Sequence, residues 1–478
     1  MDRPNVLLLC TDQQRFDALG AAGNPYVKTP HLDELARQSV NFRVCYTQSP
    51  VCSPSRASLM TSRYPRNHGL WANGVDIDPR AQVFTKQLAD AGYDCGLIGK
   101  LHLGAAQHGR VEPRVDDGFR VFRWAHDPYA RSTGNAYHAW LDERFPGVLD
   151  AALEVGGDAI DRVPVEMHFT RWVADESIEF LTETRDAEAP FCLIANFFDP
   201  HHGFGAPDSV RQLYDVDELP PPVTFEGELD SKPAIYKEAS ARSYNGAQPG
   251  FLDYTPDEIQ EIKAQYYAMV TLLDAEIGRI LDVLEATGLA DNTIVIFTSD
   301  HGELLGDHQM LLKGPMMFEP SVRVPLLVRW PGRGQVGVEH DEIVQWIDLA
   351  PTILEACGAP PLEHGQGASL LPLVTGEAGE PPRDWALCEY RDSCFPYNPP
   401  VHTTMLRWDR WKLVVHHGAP SSARARTGEL YDLVDDPDEL VNFWDDPARR
   451  ELRAELESRL LDTLVATEDR TNVRLGTF

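Results

Sequence analysis

The chain has 478 residues, 43% of them hydrophobic and 24% charged, which is enough for one large domain and a smaller one with ample core. Its 43 basic side chains stand against 74 acidic ones, a formal charge of −31. This argues against nucleic acid as a partner, since such proteins present basic stripes, and any anion site must be a local basic pocket in an acidic body. No run approaches the about 18–20 apolar residues of a membrane helix, and the start MDRPNVLLLCTD lacks the regions of a secretory signal. The expectation is a cytoplasmic protein with no membrane partner.

Taken in order, Asn5–Cys10 (NVLLLC) is a continuous apolar run that leads into Asp12-Gln13. Thr29–Ser39 then has Thr at a capping position, Pro next, and Leu32, Leu35 and Ala36 at helical spacing, which predicts a helix. The segment Pro50–Tyr64 reads PVCSPSRASLMTSRY. Residues 57–61 favour a helix, and Pro54 sits where one can begin. Cys52 then lies just before a helix N-terminus, where partial positive charge favours anions. Just past it, His68, Trp71 and Asn73 are candidate substrate contacts.

Three further runs repeat the pattern of the first. Asp94–Ile98 leads into Gly99-Lys100-Leu101-His102, Phe191–Phe198 into Asp199-Pro200-His201-His202, and Thr293–Thr298 into Asp300-His301-Gly302. Such runs, separated by helical patterns, predict buried strands of a mainly parallel sheet. In open α/β sheets ligands bind at the carboxyl ends of the strands, so the polar residues there form a candidate active site. Residues 204–255, rich in Pro, Gly, Asp and Ser, read as an excursion over that edge. Val270, Leu273, Ile277, Ile280, Leu281 and Leu284 fall on one face of a helix over Tyr267–Leu284.

The stretch 373–384 reads as a boundary, giving a catalytic domain over 1–375 and a small α+β unit over 376–478. The latter has short strand candidates at Trp385–Tyr390, Thr404–Trp408, Trp411–Val415 and 429–433, and a helix from about Pro447 to Val465. Eight cysteines are scattered without zinc-like pairing and read as small core residues, Cys52 excepted for its polar surroundings.

At the strand ends, Asp12, Gln13, Asp300 and His301 offer two carboxylates, an amide oxygen and an imidazole, a set that suits a hard divalent cation with the nucleophile completing the shell. Arg56, Lys100, His102, His201 and Lys313 supply cations for a pocket that stabilises charge developing on an ester's oxygens.

Cys52, Pro54, Ser55 and Arg56 match the CxPSR signature of the type I sulfatases, in the alkaline-phosphatase superfamily. Gly99-Lys100-Leu101-His102-Leu103-Gly104 is similar to the family's GKWHLG element, with Leu101 in place of Trp, and Thr61 is followed by Ser62 where the family usually has Gly. TSDHGE and the later LYDL with its DDP resemble further family blocks. The resemblance implies a large, mainly parallel sheet sandwiched by helices, followed by a small antiparallel sheet with a helix. It implies that Cys52 is oxidised to formylglycine by a formylglycine-generating enzyme, and that one metal is bound by Asp12, Gln13, Asp300, His301 and the residue at 52. Ca²⁺ is the family's usual ion; Mn²⁺ and Mg²⁺ stay open.

The same resemblance implies a double displacement. The hydrated aldehyde attacks sulfur and expels an alcohol protonated from His201 or Lys313, with His202 the alternative to His201. Arg56 and Lys100 orient the nucleophile and sulfate, and His102 deprotonates the second hydroxyl to release sulfate. Sugar, choline-like and aryl sulfates all fit these residues. One alternative is a phosphonate or phosphate ester hydrolase of the same superfamily, against which the Lys100/His102 pair argues, because phosphonate hydrolases generally lack it. The other is a non-enzymatic binder of sulfated glycans, against which stands the presence of every expected catalytic residue.

Overall fold

The computed structural model describes residues 3–106, 109–377, 381–418 and 426–469. Its centre is an eight-stranded sheet. From edge to edge the strands are Val338–His340, Val40–Phe42, Leu326–Arg329, Thr293–Ser299, Asn5–Thr11, Phe191–Asn196, Asp94–Gly99 and Val121–Trp124. Only Leu326–Arg329 runs antiparallel to its neighbours. Leu8 pairs in register with Ile194 on one side and Ile296 on the other.

Every residue of Asn5–Thr11 is buried, which is why the run is apolar throughout instead of alternating. Val6, Leu8 and Cys10 face one core with Leu59, Leu88 and Ile353 from three helices. Leu7 and Leu9 face the other with Leu32, Leu35, Trp172 and Ile277. The sheet is thus covered on both faces, as parallel sheets require.

The helices differ from the sequence reading mainly at their starts. Pro30–Arg37 is helical and buries Leu32, Leu35 and Ala36, but the Thr29 side chain makes no capping bond. Its hydroxyl instead accepts from Gly20 N–H and donates to Asp33. The long helix runs Pro256–Ala286, starting well before Tyr267 because Thr255 and Glu258 form a capping box. The signature helix spans Cys52–Thr61, with Val51 as its N-cap and every residue buried. Cys52 is therefore the first residue of the helix and not its predecessor. Pro54 is tolerated because N–H groups in a first turn have no intrahelical partner.

Beyond the main sheet, Trp385–Arg391, His402–Trp408, Trp411–His417 and Thr427–Asp432 form a separate four-stranded antiparallel sheet in chain order. The helix Arg450–Ala466 lays Leu456 and Leu460 on Leu406, Leu413 and Leu430 of this sheet. Of the stretch read as a boundary, residues 378–380 lie outside the described residues. Among the described residues, no helix is long and apolar enough to cross a membrane. All eight cysteines are free, and all but the half-buried Cys394 are buried.

The small sheet is tied to the short helix Glu319–Val322 and to the strand Cys45–Tyr46 by a buried polar bridge. Lys412, with its side chain 0% exposed, places Nζ 3.0 Å from Glu319 and 2.7 Å from Glu439. Glu319 also accepts from the Tyr46 hydroxyl at 2.8 Å. Removing one partner of such a cluster strands uncompensated charge, at a cost of about 3–5 kcal/mol. Lys412→Met, which keeps the stem and deletes the charge, is expected to lower the denaturant midpoint accordingly. A midpoint equal to that of the wild type would show that the bridge contributes nothing.

Candidate active site

The four strand ends converge as their sequences require. Asp12 follows Asn5–Thr11 directly, and its N–H donates to the Asp199 carbonyl of the neighbouring chain segment at 3.2 Å. Asp300 follows Thr293–Ser299, and its N–H donates to Thr11 at 3.3 Å. Gly99 turns the chain into Lys100 with φ of 95°, and a Cβ there would lie 1.9 Å from the Asn196 carbonyl oxygen. Only glycine fits that close approach. The Lys100 carbonyl then accepts from Arg56 at 3.1 Å and from Asn196 at 2.5 Å.

Cys52 sits where these ends meet. Its Sγ is 3.0 Å from Lys313 Nζ, 3.2 Å from His301 Nε2 and 3.6 Å from Asp12 Oδ1. Arg56, one helical turn on, is buried and splits its guanidinium between Asp300 Oδ2 at 2.8 Å and Asp12 Oδ2 at 3.1 Å. Lys100 Nζ reaches Asp12 Oδ2 at 2.7 Å. Lys313 Nζ also touches Gln13 Oε1 at 2.7 Å. Three fixed cations thus meet two aspartates around Cys52, the local basic pocket that the acidic chain requires.

These charges set the protonation states. Burial and Asp12 push the Cys52 thiol up, but Lys100, Lys313 and His301 outweigh them and hold it below its ordinary value. Burial would raise Asp12, yet Lys100, His201 and Arg56 keep it well below the usual carboxylate range. Burial would lower Lys313, and Cys52 and Asp12 raise it instead. For His102, His201 and His202, burial is the largest cause and nearby positive charge adds to it, so all three are held well below the usual histidine range.

The metal-ligand candidates fit a cation. One ligand atom from each of Asp12, Cys52, Asp300 and His301 lies within 4.8 Å of the others, all in buried residues. His301 directs Nδ1 to the Gly302 carbonyl at 2.9 Å, which leaves Nε2 with its lone pair toward the cluster. Gln13 is brought to the same place, its Nε2 donating to Glu303 and its Oε1 accepting from Lys313 Nζ beside the cluster.

The site opens into a cavity of about 430 Å³ bordered by Cys52, Lys100, His102, His201, His202 and Lys313. A larger cavity of about 800 Å³, beside Phe16, Arg43 and Arg407, contains none of these groups. His201 and His202 stack at 4.0 Å. His201 Nδ1 is 2.6 Å from the His202 carbonyl, and His202 Nδ1 is 3.3 Å from Gln13 Oε1. Tyr244 and Gln248 of the 204–255 excursion also border the cavity, as its position predicts. Of the three residues past the signature helix, only Asn73 reaches it, where it accepts from Ser53 N–H at 3.0 Å. His68 is instead a core residue bonded to Ser58, pushed by burial down to about 3, and Trp71 is 46% exposed.

Three supporting residues carry no signal that single-sequence reading used. Glu303 accepts from Gln13 and from the N–H groups of Leu305 and Leu312, bracing the candidate metal ligands and the approach to Lys313. Its place two residues after His301 was the available clue. Glu112 accepts from the N–H groups of His102 and Leu103. Tyr266 donates to the Gln13 carbonyl at 2.8 Å and accepts from Arg15 N–H at 2.9 Å.

Comparison with known proteins agrees with this geometry. A sequence model of the Sulfatase family matches residues 4–359, and one for the C-terminal part of N-sulphoglucosamine sulphohydrolase matches residues 306–466. The chain is 31% identical to the multifunctional alkaline phosphatase superfamily protein PehA of Trinickia caryophylli, over 98% of this chain and 97% of that one. It is 29% identical to an arylsulfatase of Clostridium perfringens, over 98% and 95%. The crystal structure of the phosphonate monoester hydrolase of Agrobacterium radiobacter superposes with a TM-score of 0.83 at 28% identity, covering 98% of this chain and 97% of that one. The chain belongs to the sulfatase family, and with it to the sulfuric ester hydrolases of the alkaline phosphatase superfamily.

Proposed function

We propose that the protein hydrolyses a sulfate ester to an alcohol and inorganic sulfate, with Cys52 matured to formylglycine and one divalent cation at the Asp12/Gln13/Asp300/His301 cluster. The observation that carries this reading is the placement of Lys100 and His102 on the wall of the cavity that contains Cys52. A hydrated aldehyde at position 52 supplies a nucleophilic hydroxyl and a second hydroxyl whose deprotonation releases sulfate, which a plain thiol or alcohol cannot offer. A cation held by the cluster supplies polarisation of the sulfuryl group. Family resemblance favours Ca²⁺, with Mn²⁺ or Mg²⁺ as the alternatives that His301 in the ligand set leaves.

The chain's own residues do the rest. Arg56 fixes Asp12 and Asp300, and Lys100 places its ammonium beside the sulfuryl end. Lys313, whose ammonium form Asp12 and Asp300 favour, is the proton source for the departing alcohol oxygen. His201 donates Nδ1–H to the His202 carbonyl, which leaves Nε2 to accept from the alcohol hydroxyl once Lys313 has protonated it, and His102 takes the proton of the second hydroxyl. Each well-placed donor in such a site is worth about 3–4 kcal/mol of transition-state stabilisation. Maturation requires a formylglycine-generating enzyme as a partner.

A second reading, hydrolysis of a phosphonate or phosphate ester, is supported by the similarity to the phosphonate monoester hydrolase. Turnover of 4-nitrophenyl sulfate and of a phenylphosphonate monoester decides between them: faster sulfate cleavage is expected, and faster phosphonate cleavage reverses the choice. Peptide mass spectrometry should find the Cys52 fragment lighter by about 18 Da when the converting enzyme is present. Cys52→Ala is expected to lower kcat/KM by roughly 10³-fold or more at unchanged fold, and undiminished activity sinks the mechanism. Asp300→Ala should lose bound metal by elemental analysis along with activity. Retention of a full equivalent of metal would remove Asp300 from the ligand set.

A further inference from the structure

Beside His102 the cavity is bordered by a further imidazole that the family signature does not include. His126 is 8% exposed and His102 is 7% exposed. Their rings meet edge to face with centroids 4.4 Å apart, and both border the cavity with Cys52. Among the described residues, no ring nitrogen of either histidine makes a hydrogen bond. The nearest partner of His126 is Asp127 Oδ2, at 3.7 Å. Both Nδ1 atoms are buried without a partner. A buried polar atom left unpaired costs about 1–3 kcal/mol, so two such rings side by side are unusual outside a binding site.

The arrangement is braced and not accidental. Glu112 accepts from the His102 and Leu103 N–H groups and, at 2.5 Å, from Trp124 Nε1. The Trp124 ring lies nearly parallel to that of His126, 24° apart at 6.4 Å. One buried carboxylate thus fixes the backbone of His102, held at φ of 60°, and the indole beside His126. Asp127 also borders the cavity. Its Oδ1 is committed to the Tyr129 and Ala130 N–H groups, and its Oδ2 makes no hydrogen bond among the described residues.

We propose that His126 and Asp127 form a specificity subsite for the alcohol part of the substrate, the imidazole and the free carboxylate oxygen engaging a hydroxyl next to the ester oxygen. This rests on the sulfate-ester reading above. His126 and Asp127 border the same cavity as Cys52 and, among the described residues, make no hydrogen bond to it or to the cations around it, which leaves them for the alcohol part of the substrate. A hydroxyl both donates and accepts, which matches a neutral imidazole beside a carboxylate. The aromatic rings of Tyr129, Phe198, Tyr244 and Phe395 on the same cavity suit the apolar faces of a ring-shaped alcohol. The ligand class is a sulfate ester of a hydroxylated ring with at least one hydroxyl adjacent to the ester.

The test compares two chromogenic esters, 4-nitrocatechol sulfate, which carries a hydroxyl adjacent to the ester, and 4-nitrophenyl sulfate, which does not. The quantity read is the ratio of their kcat/KM values. The wild type is expected to favour the catechol ester, and His126→Ala to lower the ratio by about fivefold to tenfold, the worth of one hydrogen bond, chiefly through KM. Asp127→Asn, whose Oδ1 keeps the two turn hydrogen bonds, should lower it as well and stands in if His126→Ala does not fold. His126→Gln should recover part of the preference. A wild type without preference, or variant ratios equal to that of the wild type, overturns the subsite. A wild type that cleaves neither sulfate but does cleave a phenylphosphonate monoester overturns the sulfate reading instead.

Discussion

The structure turns on one buried guanidinium. Arg56 reaches from the first turns of the Cys52–Thr61 helix to Asp12 and Asp300, which end two adjacent parallel strands. Two carboxylates at neighbouring strand ends repel each other in a low-dielectric interior, and an unpaired buried charge is costly. The bidentate cation offsets both terms and in doing so pins Cys52 over the sheet edge. Lys100 and Lys313 complete the balance from two other chain segments. A single helix position therefore couples the fold of the sheet to the geometry of the site.

Around that pair the protein surrounds flexible-looking loops with rigid acceptors. Glu112 holds the loop after Asp94–Gly99, and Glu303 holds both Gln13 and the approach to Lys313. Both carboxyls are pushed up by burial against the pull of their hydrogen-bond donors. Neither touches the reacting centre. Their role is preorganisation: backbone N–H groups fixed by a buried acceptor cannot relax when charge develops nearby, and fixed dipoles are what make such sites effective. The positive φ values of Gln13 and His102 fall at the residues these acceptors brace.

The acidic surface and the basic pocket are two scales of one electrostatic design. The net charge of −31 repels anions at long range. Inside, desolvated cations act over a few ångströms where screening is weak. Binding of a sulfate ester therefore depends on contact and fit within the cavity, with the alcohol wall around His126 contributing selectivity that long-range attraction does not provide.

By itself the sequence determined four adjacent strands of the eight-stranded sheet, the polar residues that follow them and the small antiparallel unit. These are local facts: an unbroken apolar run must be buried on both faces, and the polar residue that ends it must lie at the edge. The helix starts at Pro256 and Cys52 were less legible, because capping boxes and first-turn freedom blur boundaries. What only the tertiary structure decided are the pairings between distant segments. Nothing local distinguishes Glu112 from a surface glutamate, His126 from a core histidine, or His68 from a ligand. Trp71 is left at the surface and Asn73 is drawn into the cavity by the same turn. Those outcomes depend on which strands and loops become neighbours, and that is a property of the packed sheet, not of any one stretch of chain.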